Sequence, residues 1–223
     1  MAGAEAADAF GPAWEPAPEQ GWVAPHVAAE FPGLGIAWID ADCKPGRSPE
    51  PVRHRLRDLS DRFYGAHAIQ LRERPIPWAY RVFFRHIGLD PDRTATPVEQ
   101  LAMDRLKEGG FLPAGLPADA LTIATVETGV AVRAFDAERL QGRLCIYDSA
   151  EGEEIRDDEE ELEPGTLVIA DEQGPVAPIF GALGGCQVDR DTRRVTVAAV
   201  QVNGVPQISV DEALWMAAAT IAA

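Results

Sequence analysis

Residues 117–144 read PADALTIATVETGVAVRAFDAERLQGRL, and the spacing of the apolar residues changes at Gly129. Ahead of it, Ala118 to Thr128 contains no proline and is closed by a glycine of the kind that ends helices, so a helix is expected there. Beyond it, Val130 to Phe135 is rich in branched and aromatic residues, as a strand requires. Four similar segments follow, Arg143 to Tyr147, Thr166 to Ala170, Val176 to Phe180 and Val195 to Val202, separated by turn residues. Five strands at that spacing make one sheet or a pair of sheets.

Upstream of this switch the chain reads mostly as helix. A strand is expected at Leu34 to Asp40 (LGIAWID), followed by a loop rich in Pro and Gly. Ser48 before Pro49 predicts an N-cap and a helix to about Tyr64, and Trp78 to Ile87 predicts a second. Thr96, Pro97 and Glu99 form a capping box for a third helix that ends at Gly109 and Gly110. Ser209 and Glu212 predict another box, opening a last helix at Val210. Helices first and strands after them indicate an α+β fold rather than alternating α/β units. Residues 1–20 are dominated by Ala, Pro and Glu and read as a flexible lead, leaving 21–223 as a single domain.

With 223 residues, of which 46% are hydrophobic and 25% charged, the chain can bury a sizeable core without disulfides. The apolar run Ala213 to Ala223 has eleven residues, short of the roughly 20 that cross a bilayer. Three scattered cysteines and an N-terminus without a secretory pattern point to the reducing cytoplasm. The net charge of −16 opposes general DNA or RNA binding, but it is unevenly spread. Lys44 to Lys107 holds 13 of the 20 bases against 8 acids, whereas Glu151 to Glu163 holds nine acids and one arginine. Such an acidic block reads as a solvated loop.

Several chemistries are absent. The chain has no phosphate loop ending in GK[ST], no dinucleotide fingerprint, no HExxH, no CxxC and no GxSxG, so no metal or cofactor is called for. All four histidines, His26, His54, His67 and His86, precede residue 90; His67 and His86 are the two that can reach a cleft from the helical half. Gly181 to Cys186 (GALGGC) is a tight turn or a ligand-facing loop. Cys186 reads as a small buried hydrophobe before it reads as a nucleophile.

Three blocks carry a resemblance: Pro117 to Leu144, EPGTLVIAD at Glu163 to Asp171, and IFGALGGCQVDRDTRRVTVAAV at Ile179 to Val200. Together with the upstream TPVEQLAMDRLKEGG, they resemble the B3/B4 domain, the editing module of the phenylalanyl-tRNA synthetase beta subunit, which also occurs free-standing. The likeness spans about residues 60 to 205. It implies a compact α+β module whose cleft holds the amino acid end of a mischarged tRNA; the synthetase version hydrolyses tyrosine wrongly attached to the phenylalanine tRNA. Asp119, Glu127, Gly129, Ala134, Phe135, Asp136, Ala170, Asp171, Phe180 and Gly181 fall on matching positions. Three departures stand out: Arg133 replaces the histidine before Ala-Phe-Asp, Thr122 replaces an asparagine, and Ala182, Leu183 and Gly184 replace Gly-Glu-His.

Two classes of function follow. One is a trans-acting deacylase or binding protein for aminoacyl-tRNA, related to that editing domain. The other is a noncatalytic amino-acid or small-molecule binding module without RNA. In either, the resemblance implies an amino acid held by Thr122, Arg133, Phe180, Gly181, Gly184 and Gly185, with no catalytic residue assigned. RNA contact, if used, is expected on Arg53, Arg55 and Arg57, although helix arginines are also commonly paired with nearby acids. Asp119 and Asp136 read first as cap and turn residues.

Overall fold

The computed structural model describes residues 17–63, 65, 70–156, 161–181, 184 and 186–223. Among these, the elements run β1 (Glu19–Gln20), β2 (Trp22–Val23), α1 (Pro25–Glu30), β3 (Gly35–Asp42), α2 (Glu50–Arg62) and α3 (Pro75–His86). They continue with α4 (Pro97–Glu108), α5 (Leu116–Thr128), β4 (Val132–Asp136), β5 (Cys145–Asp148), β6 (Leu167–Asp171), β7 (Gly174–Pro178), β8 (Arg194–Gln201) and α6 (Gln207–Ala222). The architecture is α+β, with two four-stranded sheets ordered β1-β3-β8-β4 and β2-β5-β6-β7.

The first sheet is the spine. β3 and β8 pair antiparallel along eight residues, from Gly35 opposite Gln201 to Asp42 opposite Arg194. Val195 through Val200 are all buried, so both faces of this pair are covered. α6 packs on β3 and β8, and β2 and β5 bring the second sheet against β3. One apolar core runs through both sheets, α3 and α6. A second, smaller core lies where α2, α4 and α5 meet, around Leu56, Leu59, Val98, Ile123 and Val126.

Local chemistry sets the boundaries. At α4 the expected capping box is present, Glu99 accepting from both the amide and the hydroxyl of Thr96, and Gly109 closes the helix with φ 80°. Gly129 ends α5 with φ 80°, a conformation that glycine adopts without steric cost. Two caps differ from expectation. Pro49, not Ser48, precedes α2, because the Ser48 hydroxyl is drawn away to donate to the buried carboxylate of Asp119. α6 starts at Gln207 after Pro206, so Ser209 lies inside its first turn and the predicted box with Glu212 does not form. Glu19 and Gln20, counted with the lead, pair with Trp38 and Ala37 of β3; residues 1–16 of that lead lie outside the described residues, as does Tyr64. No helix among the described residues is long and apolar enough to cross a membrane.

Candidate functional site

β4 lies at an edge of the first sheet, with Arg133 opposite Ala198 of β8. From there the guanidinium reaches the second sheet. Its Nη1 donates to the carbonyls of Pro178 and Ile179, the latter at 3.2 Å, and Nη2 donates to the carbonyl of Gly181 at 2.6 Å. These acceptors sit at and just beyond the end of β7, where Gly181 has φ 122°, a turn that a side chain would strain. Burial pushes the Arg133 guanidinium down to about 10, which still leaves it charged at neutral pH.

The residue between those acceptors, Phe180, packs on α3. Its ring lies 4.9 Å from that of Phe84 and 6.0 Å from those of Tyr80 and Phe83, between ring centroids. Phe180 also lines a cleft of about 620 Å³ between α1, the C-terminal end of α3, the segment leading into β6 and the end of β7. Phe31, Ile87, Leu89 and Ile179 supply its apolar surface, and Glu30, Asp148, Glu163 and His86 its polar one.

The other expected site residues are dispersed. Gly184 is packed rather than open: its amide donates to the Val176 carbonyl at 3.3 Å, and a Cβ there would lie 2.1 Å from Ile155 Cγ2. Gly185 lies outside the described residues, as do Ala182, Leu183 and His67. Thr122 is half-buried on α5, which packs against α2, α4 and α6. No described cavity is lined by both Thr122 and Phe180. Arg133, Phe180 and Gly181 therefore converge, and Thr122 stands among the helices.

The carboxylates on matching positions hold the frame. Asp119 accepts from the Ser48 hydroxyl and the Ala114 amide, and Asp136 from the Glu138 amide and the Thr192 hydroxyl. Asp171, fully buried, pairs with Arg156 and accepts from the amides of Gln141 and Gln173. Arg156, the single base of the acidic block, thus ties that block to β6, and hydrogen bonding to Asp171 raises its pKa. Cys186 is 1% exposed, its sulfur 3.8 Å from Arg156 Nη1 and 3.7 Å from the Arg139 carbonyl. A thiol so enclosed is closed to a bulky ester.

On α2, Arg53 and Arg57 both pair with Glu50, whose carboxyl Arg57 and Arg53 hold below its ordinary range, and Arg55 pairs with Glu127. Arg81, also in the basic segment, is buried between Glu99 and Asp92. Much of the basic charge is thus answered locally. Among the described residues, no group of three or more His, Cys, Asp or Glu is placed to hold a metal ion. The sequence reading missed the cleft wall formed by Val27, Glu30 and Phe31, since a helix of six residues is too short to show a period.

The sequence model of the B3/4 domain matches residues 79–211, more than half of the chain. The chain belongs to the B3/4 domain family. Among curated proteins, phenylalanine–tRNA ligase beta subunits are similar to it. That of Tropheryma whipplei is 30% identical over 151 residues, covering 63% of this chain and 14% of the relative. That of Thiobacillus denitrificans is 35% identical over 113 residues (48% and 14%), and that of Cutibacterium acnes 29% over 96 residues (42% and 11%). The chain thus spans about one seventh or less of the relatives it matches. Within the B3/4 match lie β4, β7, β8 and the Arg133 contacts, whereas α1, β3 and α2 precede it.

Proposed function

We propose that this B3/4 protein binds the aminoacyl end of a tRNA, in the manner of an editing module acting in trans. The observation that carries the reading is the convergence of Arg133 of β4 with Phe180 and Gly181 beyond β7, all within the B3/4 match, beside the cleft that Phe180 lines. An aminoacyl side chain would lie against Phe180, with Arg133 holding the loop that presents it. Hydrolysis, if it occurs, is slow. The residues that replace the family's His, Asn and Glu offer no general base, and losing one oriented donor typically costs about a hundredfold or more. The proposed setting is the cytoplasm, where aminoacyl-tRNA is made, and DNA is not a partner.

A second reading, a noncatalytic amino-acid or small-molecule module without RNA, is favoured by one observation: Arg53, Arg55 and Arg57 are already engaged by Glu50 and Glu127. Deacylation and filter binding over a panel of mischarged tRNAs separate the two. Under the first reading, wild-type protein binds at low salt, and replacing the three arginines together flattens the salt dependence by up to almost one unit for each phosphate that is no longer neutralised. An unchanged slope removes α2 from the interface. No affinity for any tRNA at low salt rejects the first reading in favour of the second.

A further inference from the structure

Most arginines of the basic segment are answered by acids, and α3 carries an exception. On its outer face Arg74, Trp78, Val82 and Arg85 recur at spacings of four, four and three residues, so they share one stripe. Arg74 and Arg85 are exposed and form no ion pair among the described residues, and Asp92, the carboxylate that feels Arg85, is taken up by Arg81. Trp78 stands between them, 49% exposed, with the Arg85 guanidinium over its ring at 5.6 Å from the centroid. Arg74 and Trp78 lie ahead of residue 79, where the B3/4 match begins.

The stripe joins two other features. At its start, Arg74 lines a cavity of about 440 Å³ together with Arg62 of α2, Glu127 and Glu212. Arg62 shares its partner Glu127 with Arg55, so this end continues into the arginines of α2. At the other end, His86 and Ile87, the residues that follow Arg85, line the cleft beside Phe180. A helical rise of about 1.5 Å per residue sets Arg74 and Arg85 about 16 Å apart, the length of about five stacked nucleotides at 3.4 Å each.

The partner must match a planar ring set between two cations. An acidic peptide segment answers the arginines and leaves the indole uncovered, whereas an apolar surface covers the indole and strands both charges. A nucleotide strand supplies both, a base that stacks on the ring and phosphates for the guanidinium groups. We infer that this stripe is a track for the unpaired RNA at the 3′ end of a tRNA, continuous with α2 and leading into the cleft; this rests on the aminoacyl-tRNA reading above. Trp78 stacks on one base, and Arg74 and Arg85 take the phosphates on either side of it. Along this line the strand passes over α3 and delivers its end beside His86 and Ile87.

The test is fluorescence anisotropy over a range of salt, with 5′-labelled tRNAs of the panel above and the same tRNAs trimmed of their unpaired 3′ nucleotides. The proteins are the wild type, Trp78→Ala, Trp78→Phe, and the double variant Arg74→Gln with Arg85→Gln. All three positions are exposed, so the variants should melt with the wild type. Trp78→Ala is expected to bind intact tRNA about tenfold more weakly at an unchanged salt slope, and Trp78→Phe to stay within about threefold of the wild type. The double variant should flatten the slope by up to about 1.4 units, about 0.7 for each single-strand phosphate that is no longer neutralised. Trimmed tRNA should bind the wild type as weakly as intact tRNA binds Trp78→Ala, and Trp78→Ala should cost it nothing further. Intact tRNA binding that is unchanged in Trp78→Ala and in the double variant overturns the track while the aminoacyl-tRNA reading stands. A tenfold loss with Trp78→Ala on trimmed tRNA, or poly-L-glutamate binding as tightly as tRNA with the same dependence on Arg74, Trp78 and Arg85, overturns it as well. No affinity of the wild type for any tRNA of the panel rejects the reading itself, and the track with it.

Discussion

Replacing Arg133 by methionine keeps an unbranched apolar stem, shorter by two atoms, and removes the hydrogen bonds to the carbonyls of Pro178, Ile179 and Gly181. Two effects oppose each other. Burial pushes the guanidinium down to about 10, well below its ordinary value, so its charge costs the folded state about 3 kcal/mol, which the variant recovers. Hydrogen bonds to a charged donor are worth about 1.5 to 3 kcal/mol each, and their carbonyls would be left with poorer partners. Three bonds outweigh one desolvation, and the net loss is about 1.5 to 6 kcal/mol. For a chain of this length, that lowers the melting midpoint by roughly 3 to 24 °C. Thermal unfolding by circular dichroism measures it, and hydrogen exchange at Gly181 should quicken because the loop beyond β7 loses its anchor. Arg133→Lys, which retains the charge but not the planar fork, should fall between the two. An Arg133→Met protein that melts within about 2 °C of the native one would refute the assignment of this arginine as the tie between the sheets.

Two further outcomes are expected. Tyr80 donates to the Val200 carbonyl at 2.5 Å and accepts from the Ala131 amide at 3.1 Å, so Tyr80→Phe strands two buried backbone groups; urea unfolding should show a loss of about 2 to 4 kcal/mol, with faster exchange of the Ala131 amide. Cys43, Cys145 and Cys186 are all buried, and burial with the nearby Asp171 charge pushes the Cys145 thiol up to about 11, so a thiol reagent at pH 8 should label none of them until denaturant is added and all three afterwards.

The elements legible in the sequence are those whose signals are local. The Thr96 and Glu99 box and the glycines at 109 and 129 act within a turn of the residues they stop, and they stand where the sequence places them. Ser48 shows the limit: its hydroxyl has a cap within reach and takes instead Asp119, 71 positions away, a competition that no window along the chain contains. Sheet partnership is hidden for the same reason. The LGIAWID strand is expected from its residues, but its place in the middle of the first sheet depends on β8. At the candidate site, the resemblance brings Arg133, Phe180 and Gly181 forward together, and the fold does bring them together. What Arg133 does is not legible, because the acceptors it reaches at Pro178, Ile179 and Gly181 are backbone carbonyls, which carry no side-chain signature.

The seam between β3 and β8 also sets an order of events during synthesis. Asp40 and Thr196, hydrogen-bonded across it, are 156 positions apart. At about 5 to 20 residues per second, the first of these strands leaves the ribosome roughly 8 to 30 s before its partner exists. Throughout that interval the apolar LGIAWID segment has an open edge on the side that β8 will later fill. β1 covers only the opposite edge, so until β8 emerges this edge stays open, and slow translation should cost this protein more yield than it costs a domain built from neighbouring strands.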